Sequence, residues 1–97
     1  MWARVASFDG GDTERLRAIN EERIESGEMN APEGMRKALL LATPDGSRRL
    51  FVTFFDSREA IAAAEPRFES MGDEIPEDVR GRRTGVDVYE VLFEGSL

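Results

Sequence analysis

The chain has 97 residues, with 20 Asp and Glu against 13 Lys and Arg for a net charge of -7, a balance that repels phosphate backbones and anionic membrane surfaces. It has no Cys and no His, which excludes a disulfide framework, a thiolate nucleophile, the usual zinc and iron–sulfur sites and an imidazole base. One modest core suits this length, so residues 1–97 are expected to form a single domain with no nucleic acid, no membrane, no metal and no cofactor among its partners.

The first eight residues, Met1 to Phe8, lack the charged start and long apolar core of a signal peptide. No run approaches the ~20 apolar residues of a membrane span, and the expected location is cytoplasmic. Residues 2 to 8 read as a strand closed by the turn residues Asp9-Gly10-Gly11. Asp12 or Thr13 then caps a helix over residues 13 to 25, with Glu14 at its positive end and Ser26-Gly27 as its stop.

A polar linker from Gly27 to Gly34, with Pro32 inside it, leads to a second strand over Met35 to Thr43. Pro44-Asp45-Gly46 makes a tight turn into a third strand, Arg48 to Phe55. A second helix is expected to open where Asp56 accepts from the Glu59 amide and Glu59 reaches back. Ile61, Ala64, Phe68 and Met71 share one of its faces and Gly72 ends it. Pro66, which deletes one hydrogen bond, is expected to bend or split it near Ala62 to Glu65. A charged loop with a single turn after Pro76 runs from Asp73 to Arg83, and Gly85 to Phe93 alternates as a fourth strand.

The order β-α-β-β-α-β predicts an α+β, ferredoxin-like fold: a four-stranded antiparallel sheet with two helices on one face. The third strand is apolar on both sides. Leu50, Val52 and Phe54 point one way while Phe51, Thr53 and Phe55 point the other. Helices cover only one side. The fourth strand adds either Val86, Val88 and Leu92 or Tyr89, Val91 and Phe93 to the bare side, and a patch of that size marks an interaction surface.

At the junction Phe51-Val52-Thr53-Phe54-Phe55-Asp56-Ser57-Arg58-Glu59-Ala60-Ile61, an aromatic strand end meets a Ser-x-Glu-Ala helix start. There the chain resembles the dimeric α/β-barrel superfamily, which includes the antibiotic biosynthesis monooxygenase-like proteins. The resemblance implies a homodimer through the sheet face carrying Leu50, Val52 and Phe54, and a pocket between sheet and helices. Oxygenases and haem-degrading members of the superfamily commonly use an asparagine on the first strand and a tryptophan at the end of the third. Ser7 and Phe55 stand at the matching positions, and the histidine of the haem enzymes has no counterpart.

On the first helix Leu16, Ile19 and Ile24 define the expected inward face, with Asn20 and Arg23 projecting between them. Buried polar groups need partners, and Glu65 at the edge of the second helix is the nearest candidate. Asn20, Arg23 and Glu65, with Ser7, Phe55, Phe68 and Tyr89, form the candidate pocket for a small aromatic or anionic ligand; catalytic residues are unknown. The alternative is that Arg23 lays its stem over apolar surface with its guanidinium in water.

Arg4 and Glu90 are expected to make a cross-strand pair on the barrel face, and Trp2, the single tryptophan, is expected in the core or an interface. Asp73-Glu74 with Glu77-Asp78 lacks the spacing of a calcium loop. Asp9-Gly10-Gly11-Asp12 lacks the lysine of a phosphate loop. Three functions are compatible with this reading: a homodimer binding a small organic molecule, a cofactor-independent monooxygenase or isomerase on the same scaffold, and a structural or regulatory dimer with no pocket.

Overall fold

Arg48–Phe55 (β3) is the hub of the sheet, pairing antiparallel with Trp2–Asp9 (β1) on one edge and Met35–Ala42 (β2) on the other. The computed structural model describes residues 1–27 and 31–97; positions 28 to 30 of the expected linker lie outside the described residues. Arg82–Glu90 (β4) pairs antiparallel with the free edge of β1, which gives the order β2-β3-β1-β4. With Thr13–Ser26 (α1), Arg58–Asp73 (α2) and the one-turn Glu77–Arg80 (α3) in the connections, this is the ferredoxin-like sheet with its helices on one face.

Residues opposite one another on antiparallel strands share a face, so the register assigns every side chain. Phe51, Thr53 and Phe55 lie on the helix side with Trp2, Arg4 and Ala6. Leu50, Val52 and Phe54 lie on the open side with Ser7, Val5 and Ala3. On β4, Val86 and Val88 belong to the helix side, opposite Ala6 and Arg4, and Tyr89 belongs to the open side, opposite Ala3. The expected Arg4–Glu90 pair does not form: Arg4 stands opposite Val88 and Glu90 opposite Trp2. Arg4 instead meets Glu65 of α2, which the helix side brings within 2.6 Å.

The fourth strand also begins and ends earlier than expected, at Arg82 and Glu90 rather than Gly85 and Phe93. A register shift between Ser7 and Phe8 leaves Thr84 over and lets Arg83 and Arg82 pair with Phe8 and Asp9. At the other end the Val91 amide donates to the Met1 carbonyl at 3.0 Å.

The helix ends follow local chemistry. Asp12 caps α1 by accepting from the Arg15 amide at 3.0 Å, and Gly27 closes it with a left-handed φ of 74°. Ser57, not Asp56, caps α2 by accepting from the Ala60 amide at 3.1 Å. Asp56 is taken up by the Arg36 guanidinium at 2.8 Å, and that bond holds its carboxyl below the usual range. Pro66 lies inside α2 without splitting it: the helix runs from Arg58 to Asp73. Ile24 is 62% exposed rather than inward. Leu16, Asn20 and Arg23 form the i, i+4, i+7 stripe, and Ile24 falls about 100° further round from Arg23.

The core sits under α2, where Phe55, Ile61, Ala64 and Phe68 are buried together. Phe68 meets Phe55 and Phe51 edge-on, with ring centroids 6.1 and 6.5 Å away. A second anchor is polar. Arg49, 1% exposed, donates to the Gly10 carbonyl at 2.5 Å, to Thr13 Oγ1 at 3.0 Å and to the Arg80 carbonyl. Burial pushes its pKa down, against the opposing pull of Asp12.

This arginine ties the β1–α1 turn to α3, and the two backbones touch. A Cβ on Gly81, whose φ is +76°, would lie 2.6 Å from the Gly10 carbonyl oxygen, and one on Gly11, at φ +83°, would lie 2.6 Å from that of Val79. Only glycine fits either place.

A candidate ligand cavity between sheet and helices

A cavity of about 460 Å³ opens on the helix side of the sheet. Its sheet wall is Ala6 and Phe8 of β1, Leu40 of β2 and Phe51 of β3; Leu16, Asn20 and Arg23 of α1 face them. Phe68 and Met71 of α2 and Ile75 close one side, and Arg80, Arg82 and Arg83 stand along another. The space exists because α1 packs lightly. Leu16 is its one buried residue, and the next positions on its inward stripe are polar. Ala6, opposite Phe51, leaves room at the sheet.

Arg4 forms the most deeply buried polar part of the wall, at 2% exposure. Its Nε and Nη2 donate to the two carboxylate oxygens of Glu65 at 2.6 and 3.2 Å, and its guanidinium lies 4.1 Å from the Phe68 ring centroid. Fork geometry and a ring beneath hold the planar group in one orientation. Its Nη1 has no protein acceptor among the described residues.

The other arginines differ in how far they are committed. Arg23 reaches Glu74 at 3.5 Å, and Arg80 Nη1 donates to the Gly72 carbonyl at 2.5 Å. Arg82 and Arg83 are exposed and, among the described residues, their side chains have no ion pair or hydrogen bond. Among the described residues, five arginines against the three carboxylates Glu69, Asp73 and Glu77 line this space. That reverses the balance of a chain with 13 basic and 20 acidic residues.

Of the residues nominated from sequence, Asn20, Arg23 and Phe68 line the cavity. Ser7 and Tyr89 are on the open side of the sheet, Tyr89 at 56% exposure. Phe55 is fully buried in the α2 core. Glu65 stands behind the wall as the partner of Arg4. The expected Asn20, Arg23 and Glu65 cluster is divided, because Arg23 turns to Glu74 and Glu65 to Arg4. Ser7 and Phe55, at the positions matched to the asparagine and tryptophan, do not meet in the cavity.

Sequence reasoning missed Arg4, Ala6 and Phe8. Their signal was the period of two along β1, readable in either phase until the pairing with β3 sets it.

Haem is held by His, Cys, Tyr or Met side chains. The chain has no His or Cys, its one Tyr is on the far side of the sheet, and among the described residues Met71 is the lone lining residue of that kind. The cavity does not fit an axially ligated haem.

The fold is the one seen in antibiotic biosynthesis monooxygenase-like proteins. Similar solved structures include the heme-degrader MhuD from Mycobacterium tuberculosis with two hemes bound in its active site, at TM-score 0.65 and 14% identity over 99% of this chain and 100% of that one. The monooxygenase ActVA-Orf6 of Streptomyces coelicolor, in complex with nanaomycin D, matches at TM-score 0.60 and 15% identity over 99% and 89%. At such identities the likeness is one of fold. No family model and no curated protein matches the sequence.

Proposed function

We propose that the protein is a homodimer that binds a small organic molecule with an apolar, flat body between sheet and helices. The cavity carries this reading. Its volume of about 460 Å³ falls in the ~300–1,000 Å³ range of small-molecule sites, which pair mostly apolar walls with a few placed polar groups. Phe8, Phe51 and Phe68 supply the walls and Asn20, Arg4 and Arg23 the polar groups. Structures of like fold hold hemes in one case and nanaomycin D in another, which supports the same use of the space here. Titration with fluorescent aromatic probes tests it: saturable binding is expected, lost in Leu40→Trp, which fills the wall. Binding unchanged by that substitution would place the ligand elsewhere.

The dimer reading rests on the open side, where Leu41, Leu50 and Tyr89 are 47, 38 and 56% exposed around Val52 and Phe54. Light scattering is expected to give about 22 kDa, twice the 10.9 kDa chain. Phe54→Asp should yield a destabilised monomer, because association and burial of this face are one event. A wild-type monomer at micromolar concentration would overturn the dimer.

A second reading, a cofactor-independent monooxygenase or isomerase, has in its favour the fold shared with ActVA-Orf6. Oxygen uptake with a panel of phenols separates it from binding alone.

A further inference from the structure

The cavity's two ends differ in how their positive charge is balanced. At the inner end Arg4 is 2% exposed and already neutralised by the two-point contact with Glu65. At the outer end Arg82 and Arg83 are exposed and have no carboxylate partner among the described residues. The carboxylates of the same wall, Glu69, Asp73 and Glu77, make no ion pair with them. The apolar wall of the same cavity is Phe8, Phe51, Leu40 and Phe68.

We infer that the cavity is polarised for an organic acid with a carbonyl-type oxygen at its far end, the acid group lying against Arg82 and Arg83 and the carbonyl oxygen accepting from Arg4. This rests on the binding reading above and names the ligand class. A second carboxylate at Arg4 would face Glu65 at close range in a poorly solvated place, where like charges repel strongly. A neutral acceptor meets no such repulsion and takes the free Nη1 hydrogens. At the mouth the charge relation reverses: Arg82 and Arg83 both border the cavity, and neither guanidinium has an ion-pair partner among the described residues, which favours an anion.

The pair also gives a reason for an acidic protein to concentrate arginine around one cavity. A negative ligand is repelled by the chain's overall charge of -7 and admitted where the local sign is positive. The outer contact is screened by salt because it is exposed, and the inner one is not.

Three probes of one shape test both ends on the full chain: 6-acetyl-2-naphthoate, 6-acetyl-2-naphthamide and 6-ethyl-2-naphthoate, titrated by calorimetry. The ketone acid is expected to bind about tenfold tighter than its amide and about fivefold tighter than the acid lacking the ketone. The double substitution Arg82→Ala with Arg83→Ala should erase the first difference and keep the second. Raising salt should weaken the two acids and leave the amide unchanged.

Equal affinity of acid and amide, or an advantage that survives the double substitution, overturns the outer end. Equal affinity of ketone and hydrocarbon overturns the inner end, a comparison that needs no Arg4 variant and so cannot be confounded by misfolding. If none of the three binds, the binding reading itself fails and this inference falls with it.

Discussion

The two long helices cover the same sheet in different ways. From α2, Ile61, Ala64 and Phe68 pack onto Phe55 to make the core, whereas α1 buries Leu16 alone and presents Asn20 and Arg23 below it. The difference separates the part of the molecule that holds the fold from the part left open for a ligand. In a chain of this size one helix can secure the sheet while the other roofs a cavity.

Phe55→Ala should break the secured half, at a cost of about 3–5 kcal/mol by denaturant unfolding. Leu16→Ala, under the lighter helix, should lie near the lower limit of about 2 kcal/mol for such truncations, since its site adjoins open space. Equal losses would erase the contrast between the helices.

Gly81→Ala places a Cβ 2.6 Å from the Gly10 carbonyl oxygen at a φ of +76°, and we expect a loss of about 2 kcal/mol or more. Because Arg80 and Arg82 flank it, probe affinity should fall as well. Glu65→Leu leaves Arg4 buried without its partner. The expected cost is about 2 kcal/mol, below the ~3–5 of a fully buried pair because Glu65 is 37% exposed.

The smallest effect lies in the exposed β2–β3 turn, which meets the fold's helices where Thr13 at the start of α1 donates to the Gly46 carbonyl. Asp45 accepts from the Ser47 amide at 3.0 Å, the Ser47 hydroxyl at 2.7 Å and Thr43 Oγ1 at 2.8 Å, and these bonds lower its pKa from 3.8 to about 2. A folded value below the unfolded one means the contribution is fully present above 3.8 and is lost as pH falls through about 2. The melting temperature gap between wild type and Asp45→Asn should therefore close across that window. A gap constant with pH would remove the charged form from the account.

The element order was legible because each junction carries its own chemistry: Asp12 as a cap, Gly27 as a stop, Asp45-Gly46 as a turn; the start of the second helix was legible too, but its cap is Ser57 and not the expected Asp56. The faces of β3 were legible through the family resemblance, which puts Phe51 and Phe55 toward the helices and Leu50 and Phe54 away from them, where the register places them. The faces of β1 and β4 were not. Alternation gives a period without a phase, and both strands hold polar and apolar residues in each phase. Ser7 and Tyr89 were consequently nominated for a cavity on the opposite side of the sheet, and Arg4 was assigned to the barrel face.

Asn20, Arg23 and Phe68 were found because a helix reports its facing stripe over three positions rather than one. The role of Arg49 was illegible for a different reason: it bonds to carbonyls of Gly10 and Arg80, positions 39 and 31 residues away. No local pattern records such a contact.

Amide and methyl chemical-shift mapping of the full chain with 6-acetyl-2-naphthoate tests most directly whether the lightly roofed half is the binding site. The largest shifts are expected at Leu16, Asn20, Leu40 and Met71, with Leu50 and Val52 unmoved. Shifts centred on Leu50, Val52 and Ser7 of the open side would contradict it.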